Sequence, residues 1–230
     1  MVWIFQVYLP KNINVIVSSI LFISISLLFG CDLKQQKQSE ALKNEIDQRE
    51  VKKVSEAELL EIGRELGDSI ANAAQSALAS NLVAAVKRGG LSEAVDFCHI
   101  NASPIVDSLI NKYNATIKRT SFKIRNPADK PSELEAEILD AYHYNLENGL
   151  EMTSNVQETE NAQILFTKPI MIGKELCLNC HGIVGEQVPE DIDQMIKSRY
   201  PKDEATGYQM GDLRGMWSIS IPNNEIFKQL

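Results

Sequence analysis

Apolar and polar positions divide the chain into three stretches of different rhythm. Residues 13–30 form a run that is apolar or weakly polar throughout, and residues 32–54 are rich in Lys, Gln and Glu. Periodic patterning starts at Ser55-Glu56-Ala57-Glu58, which has the form of a capping box. Behind it Leu59, Ile62, Leu66, Ile70, Ala73, Ala74, Ala77 and Leu78 recur at helical spacing until Gly89-Gly90. One long helix is expected, alanine-rich on the face that packs. A second begins near Ser92, with Val95, Cys98, Ala102, Ile105, Val106 and Leu109 on its apolar side, and Ser103-Pro104 marks either a kink or a fresh start. Thr116 to Ile124 alternates and is rich in β-branched residues, which predicts a strand broken at Asn126-Pro127. A further capping box at Ser132-Glu133-Leu134-Glu135 opens a third helix through Leu134, Ile138, Tyr142 and Leu146, stopped by Asn148-Gly149. Strands are expected over about 151–157 and 162–171, a helix near 189–199, and a last strand from Leu213 to Ile221. Helices first and strands later, with short connections, predict an α+β domain built on an antiparallel sheet.

The apolar run changes meaning once charge is added. Residues 1–30 carry one charged side chain, Lys11, and the run ends in Leu28-Phe29-Gly30-Cys31 before turning abruptly polar. A charged start, an apolar stretch and a small residue before the break describe an export signal. The segment resembles a bacterial lipoprotein signal, which implies cleavage between Gly30 and Cys31 and a lipid on Cys31. Phe29 is bulkier than such signals usually carry, and Trp3, Ile4 and Phe5 ahead of Lys11 fit poorly. An uncleaved anchor is the alternative, since roughly eighteen apolar residues just span a bilayer. Either way the expectation is a signal over 1–30, a tether over 31–54 and a single domain over 55–230, held on the periplasmic side of a bacterial membrane. Without residues 1–30 the chain is one unit more negative than its formal charge of −8. So acidic a surface argues against nucleic acid as a partner.

Four cysteines remain to be explained in an exported chain. Cys177-Leu178-Asn179-Cys180-His181 has the spacing that covalent attachment of a c-type haem requires, two thiols for the two vinyl groups and a histidine for the iron. A structural zinc site would need two more ligands at finger-like spacing, and no second such pair exists. A redox dithiol would not need the histidine. One covalent haem, held by Cys177, Cys180 and His181, is the expectation, and Cys98 is left over.

Two further stretches carry a resemblance. Arg119-Thr120-Ser121-Phe122-Lys123-Ile124-Arg125-Asn126-Pro127 is one; Tyr200-Pro201-Lys202-Asp203-Glu204-Ala205-Thr206-Gly207-Tyr208, continued by Gly211-Asp212-Leu213-Arg214-Gly215, is the other. With the haem motif between them they resemble the bacterial c-type haem domain family of PAS-like fold, a domain of unknown function. That family occurs as free-standing exported proteins and as the sensor part of histidine kinases. The resemblance covers roughly residues 60–225. It implies a PAS-like antiparallel sheet with a helical N-terminal half and haem against the sheet.

Iron held by His181 has one more axial position, and its occupant largely sets the potential. Cys98 is the leading candidate. It lies on the apolar side of its helix, where a thiolate needs a partner such as ferric iron, and the family's matching helix resembles this one in placing a cysteine there. Its plainer fate is that of a small buried hydrophobe. His99 is about 100° further round the helix, and His143 sits between two tyrosines at the border of its apolar stripe. Met152, Met171, Met195, Met210 and Met216 are possible thioether donors with core packing as their default. The same default applies to Phe97, Phe122, Phe166 and Trp217 as porphyrin-lining aromatics. Arg119, Arg125 and Arg214 are candidates for the haem propionates, since a guanidinium matches a carboxylate in two-pronged geometry; an arginine on a strand is more often solvated or in a surface pair.

Three functions follow. A redox or gas sensor would change ligation on reduction and pass its output to a signalling or redox partner. A lipid-anchored electron carrier would keep its ligands. A peroxidase-like enzyme would need an open iron position and a distal acid–base pair, for which only His99 offers itself, so no enzymatic activity is expected.

Overall fold

The computed structural model describes residues 54–230. The expected signal segment, Cys31 and the tether to residue 53 lie outside the described residues. Helix α1 (Glu56–Ile100) starts where Ser55 accepts a hydrogen bond on its hydroxyl from the Glu58 amide, at 3.2 Å. It breaks inside at Gly89 (φ −148°, ψ 23°) and Gly90 (φ 71°, ψ −157°), as the glycine pair predicts. Around this break Ala85 of the first limb packs with Ala94 and Phe97 of the second, so the chain folds back on itself. Helix α2 (Ala102–Tyr113) starts afresh beyond Asn101, with Pro104 in its first turn, where the missing amide costs nothing.

The sheet contains β1 (Thr116–Thr120), β2 (Asn155–Thr159), β3 (Gln163–Met171) and β4 (Leu213–Pro222), all antiparallel in the order β1-β4-β3-β2. Side chains alternate across it. Ile164 and Phe166 of β3, Ile219 and Ile221 of β4 and Ile117 of β1 point at α1 and α2. Leu165 and Met216 point the other way, at helix α3 (Glu133–Glu147) through Ile138, Leu139 and Tyr142. The Tyr142 hydroxyl lies 2.9 Å from Thr167 Oγ1 and accepts from the Asn155 amide at 3.2 Å, tying α3 to two strands.

The buried stripe of α1 differs from the one expected. It runs Leu59, Gly63, Gly67, Ile70, Ala71, Ala74, Leu78, with glycines where the helix lies closest to the sheet. A Cβ on Gly67 would stand 2.2 Å from the Phe166 ring, and one on Gly63 2.7 Å from Ile164. Hydrophobic periodicity alone passes over glycine, so a contact built on the lack of a side chain was invisible to it. The first strand is also shorter than expected. β1 stops at Thr120, because the chain then leaves the sheet to pair with a distant loop, Glu204 giving its amide to the Ile124 carbonyl at 2.9 Å. The strand expected at 151–157 is displaced to Asn155–Thr159.

The rest of the fold carries the site. β3 runs through Ile172 into helix α4 (Glu175–His181), which holds both motif cysteines and the histidine. Helix α5 (Glu190–Arg199) follows and is tied to the second limb of α1 by Arg199–Asp96 at 3.0 Å and by Val95, Ile192 and Ile196. A loop over 200–212 leads to β4, after which a short helix α6 (Asn223–Phe227), not expected from the sequence, closes the chain. Among the described residues no helix is long and apolar enough to cross a membrane.

Candidate functional site

A mostly apolar cavity lies between the two limbs of α1, α4 and α5. Leu82 and Val86 come from the first limb, and Leu91, Ala94, Val95 and Cys98 from the second. Leu176, Cys177, Cys180 and His181 come from α4, with Ile196, Tyr200 and Arg125 completing the walls. Five candidate residues, Cys98, Arg125, Cys177, Cys180 and His181, separated by up to 83 positions, therefore line one space. Cys98 is reachable by solvent through it, yet the surrounding walls push its thiol above the ordinary range against the pull of Arg119 and Arg125. Burial pushes Cys180 up to about 11, with Arg125 opposing. Both thiols are protonated at neutral pH.

His181 is held in a defined tautomer. Its Nδ1 lies 2.7 Å from the Ala205 carbonyl oxygen, which can only accept, so Nδ1 carries the proton. Burial, and next the guanidiniums of Arg214 and Arg125, hold the ring's pKa well below the usual histidine range. The imidazole is therefore neutral with its Nε2 lone pair free, the form that ligates a metal.

The 200–212 loop grips α4 at its C-terminal end. Tyr208 and Gly207 donate their amides to the His181 and Gly182 carbonyls at 2.9 and 2.8 Å. Gly207 sits at φ +76°, a conformation suited to glycine. Tyr208 meets the His181 ring edge-on at 6.2 Å. Arg125 reaches the same loop in a two-pronged pair with Asp203, at 3.0 and 3.2 Å, and donates to the carbonyls of Cys180 at 2.6 Å and Ala205 at 3.3 Å. The two signature stretches thus bind each other and the motif between them.

The remaining candidates fall into two groups. Arg119 stands 5.8 Å from the Trp217 ring and Arg214 5.5 Å from the Tyr208 ring, and neither forms an ion pair among the described residues. Burial, despite Tyr208 and with Arg125 and Arg119 adding to it, lowers the Arg214 pKa, so a cationic cluster lies beside the motif in an acidic protein. The others are elsewhere. His99 packs edge-on against Tyr200 at 5.3 Å and His143 stacks on the exposed Phe122 at 5.7 Å; neither lines the cavity. Met152, Met171 and Met216 pack beneath α3, Met195 packs from α5 against the cluster that holds Val95 and Val188, and Met210 is exposed. Phe97, Phe166 and Trp217 belong to the core, the last donating its indole N–H to Gln75 at 3.2 Å.

The sequence reading missed Asp203, Ala205 and Tyr200 as parts of the site. Asp203 acts by pairing with a residue 78 positions away and Ala205 by its backbone oxygen, and neither property leaves a periodic trace. Among the described residues no group of three or more His, Cys, Asp or Glu side chains is arranged to hold a metal ion by itself. The donor set fits a haem instead. It has two thiols one helical turn apart, an imidazole with a free Nε2, a third thiol on the same apolar space, and guanidiniums nearby for carboxylates.

Fold and site together define the class: an α+β domain whose own Cys-X-X-Cys-His helix borders an apolar cavity. The chain belongs to the Tll0287-like family, whose model matches residues 32–222. Among solved structures it is similar to the crystal structure of the cyanobacterial heme-protein Tll0287, at 24% identity over 67% of this chain and 89% of that one, with a TM-score of 0.48. No curated protein matches the chain.

Proposed function

We propose that this chain is a haem protein of c type, with one haem joined through Cys177 and Cys180, iron held by His181 and Cys98, and a role as a redox or gas sensor. The family membership and the heme-protein in its solved relative support haem binding. The observation that carries the finer reading is that Cys98 lines the same cavity as Cys177, Cys180 and His181. A thiol raised by burial becomes a thiolate there only with a cationic partner, and ferric iron is such a partner. When bound, the haem would supply a one-electron couple in a low-dielectric space, where the thiolate favours the oxidised form. His181 orients by its Nδ1–H, the apolar walls exclude water, and Arg119 and Arg214, in no ion pair among the described residues, are the better propionate partners. Arg125 is already engaged by Asp203. The PAS-like topology is supported by the order of the sheet, in which the first strand neighbours the last. Export, attachment of lipid at Cys31 and delivery of the signal to a separate protein partner complete the proposal.

The test is absorption and paramagnetic resonance of the haem-loaded full chain, oxidised and reduced, beside Cys98→Ser and His99→Ala. A low-spin ferric thiolate signature lost only in Cys98→Ser is expected. An unchanged Cys98→Ser spectrum would overturn the ligand assignment. Ligation that stays the same on reduction, with a potential in the range of respiratory partners, would favour the electron carrier over the sensor. Hydrogen peroxide turnover is expected to be absent, and turnover abolished by His99→Ala would overturn that.

A further inference from the structure

We infer that the Arg125–Asp203 ion pair is a positioning unit that sets the donor strength of His181 through the carbonyl oxygen of Ala205. The inference rests on the reading of His181 as an iron ligand and concerns how that ligand is tuned. The pair is nearly dry, with 15% of the Arg125 side chain and 1% of the Asp203 side chain exposed, so solvent neither screens nor loosens it much. Asp203 Oδ1 also accepts the Ala205 amide at 3.0 Å. Arg125 Nη2 donates to the Ala205 carbonyl at 3.3 Å, and that oxygen receives the His181 Nδ1–H at 2.7 Å. The fully buried Ala205 is thus fixed at its amide by the carboxylate and approached at its carbonyl by the guanidinium.

An ion pair serving stability alone has no need of these two backbone oxygens. Arg125 touches the carbonyls of Cys180 and Ala205, one inside the motif and the other the acceptor of its histidine. A hydrogen-bond acceptor on the far nitrogen of a ligating histidine fixes the ring and raises its basicity. A carbonyl oxygen already receiving a guanidinium N–H has less electron density to offer. Arg125 therefore restrains the basicity that Ala205 confers, and Asp203 limits that restraint by drawing the guanidinium toward itself. The two residues act in opposite senses on one atom of the ligand.

The experiment measures the midpoint potential of the haem-loaded full chain, together with the exchange rate of the His181 Nδ1–H by NMR. Arg125→Gln is expected to shift the one-electron equilibrium toward the oxidised form about tenfold, about 59 mV. Asp203→Asn should shift it in the opposite direction. Arg125→Lys keeps the charge and loses the fork, so it should restore part of the potential and leave the Nδ1–H exchange as altered as in Arg125→Gln. A potential within twofold of wild type in Arg125→Gln would overturn the inference, as would full recovery of both readouts by lysine, which would reduce the effect to bulk charge. If a variant does not load haem, or if mass measurement shows that the wild-type chain carries none covalently, the exchange measurement is made on the haem-free full chain. Slower exchange in both Arg125 variants, from a carbonyl freed of the guanidinium and holding the Nδ1–H more strongly, then upholds the positioning claim, and unchanged or faster exchange defeats it whatever becomes of the ligand reading.

Discussion

At the scale of residues, glycine does more here than its place in turns would suggest. Gly215 sits at φ +154°, and a Cβ there would stand 2.3 Å from the Thr120 carbonyl oxygen. β4 can therefore run close against the end of β1, at the point where the chain departs toward Arg125. Gly215→Ala should destabilise the domain by about 2 kcal/mol or more, since a forbidden conformation and a backbone clash coincide; the urea midpoint measures it. A variant within 0.5 kcal/mol of wild type, a difference of roughly experimental size for a surface site, would contradict this account. This close approach leaves no trace in the sequence, because the strand approached lies about 95 residues earlier in the chain. By contrast Cys177, Cys180 and His181 were legible at once, because the chemistry of the motif depends on spacing along the chain. Cys98 was legible as unpaired and apolar-facing; that it shares a cavity with the motif required the fold.

Elements were legible where they are governed by their own ends. The capping box at the start of α3 is complete, Ser132 receiving the Glu135 amide at 3.4 Å and Glu135 accepting the Ser132 amide at 2.7 Å. Ser132→Ala should cost about 1 kcal/mol in thermal or urea unfolding. Burial works to raise the Glu135 carboxyl, and the Lys118 ammonium at 2.8 Å with the amide and hydroxyl of Ser132 outweighs it, leaving the pKa below the ordinary range. A lowered folded pKa means that this stabilisation is complete above the unfolded value, about 4.3, and disappears as pH falls through the folded one. Glu135→Gln should accordingly flatten the loss of stability on acidification below about pH 5, read from urea midpoints across that range. An equally steep loss in the variant would remove Glu135 as the source. The ends of β1 and β2 were not legible, since the first is decided by a loop some 80 residues away and the second by pairing with β3. The break in α1 was legible from its two glycines. Gly90 has nothing within 4 Å of where a Cβ would go, so Gly90→Ala tests backbone conformation alone, and about 1–3 kcal/mol of destabilisation is expected.

For the molecule as a whole, the site is a meeting point of segments that the chain keeps far apart. The first signature leaves the sheet, the second grips α4, and the cavity walls come from positions between 82 and 200. Loading and folding should therefore be linked, because a group bound only by the folded chain stabilises it. The full chain with Cys177→Ala and Cys180→Ala, prepared without haem, should melt several degrees below the loaded wild type; equal melting temperatures would mean that the cavity adds nothing to stability. The break at Gly89 and Gly90 has one more consequence. Because Leu82 and Val86 stand before it and Leu91, Ala94, Val95 and Cys98 after it, the width of the cavity is governed by an angle between two helical limbs. Substituting wall residues enlarges the space by one or two carbon atoms at a time. A change of torsion at Gly90 moves the whole second wall at once, so anyone redesigning this scaffold for a bulkier tetrapyrrole has a backbone dial to turn before any side chain needs replacing.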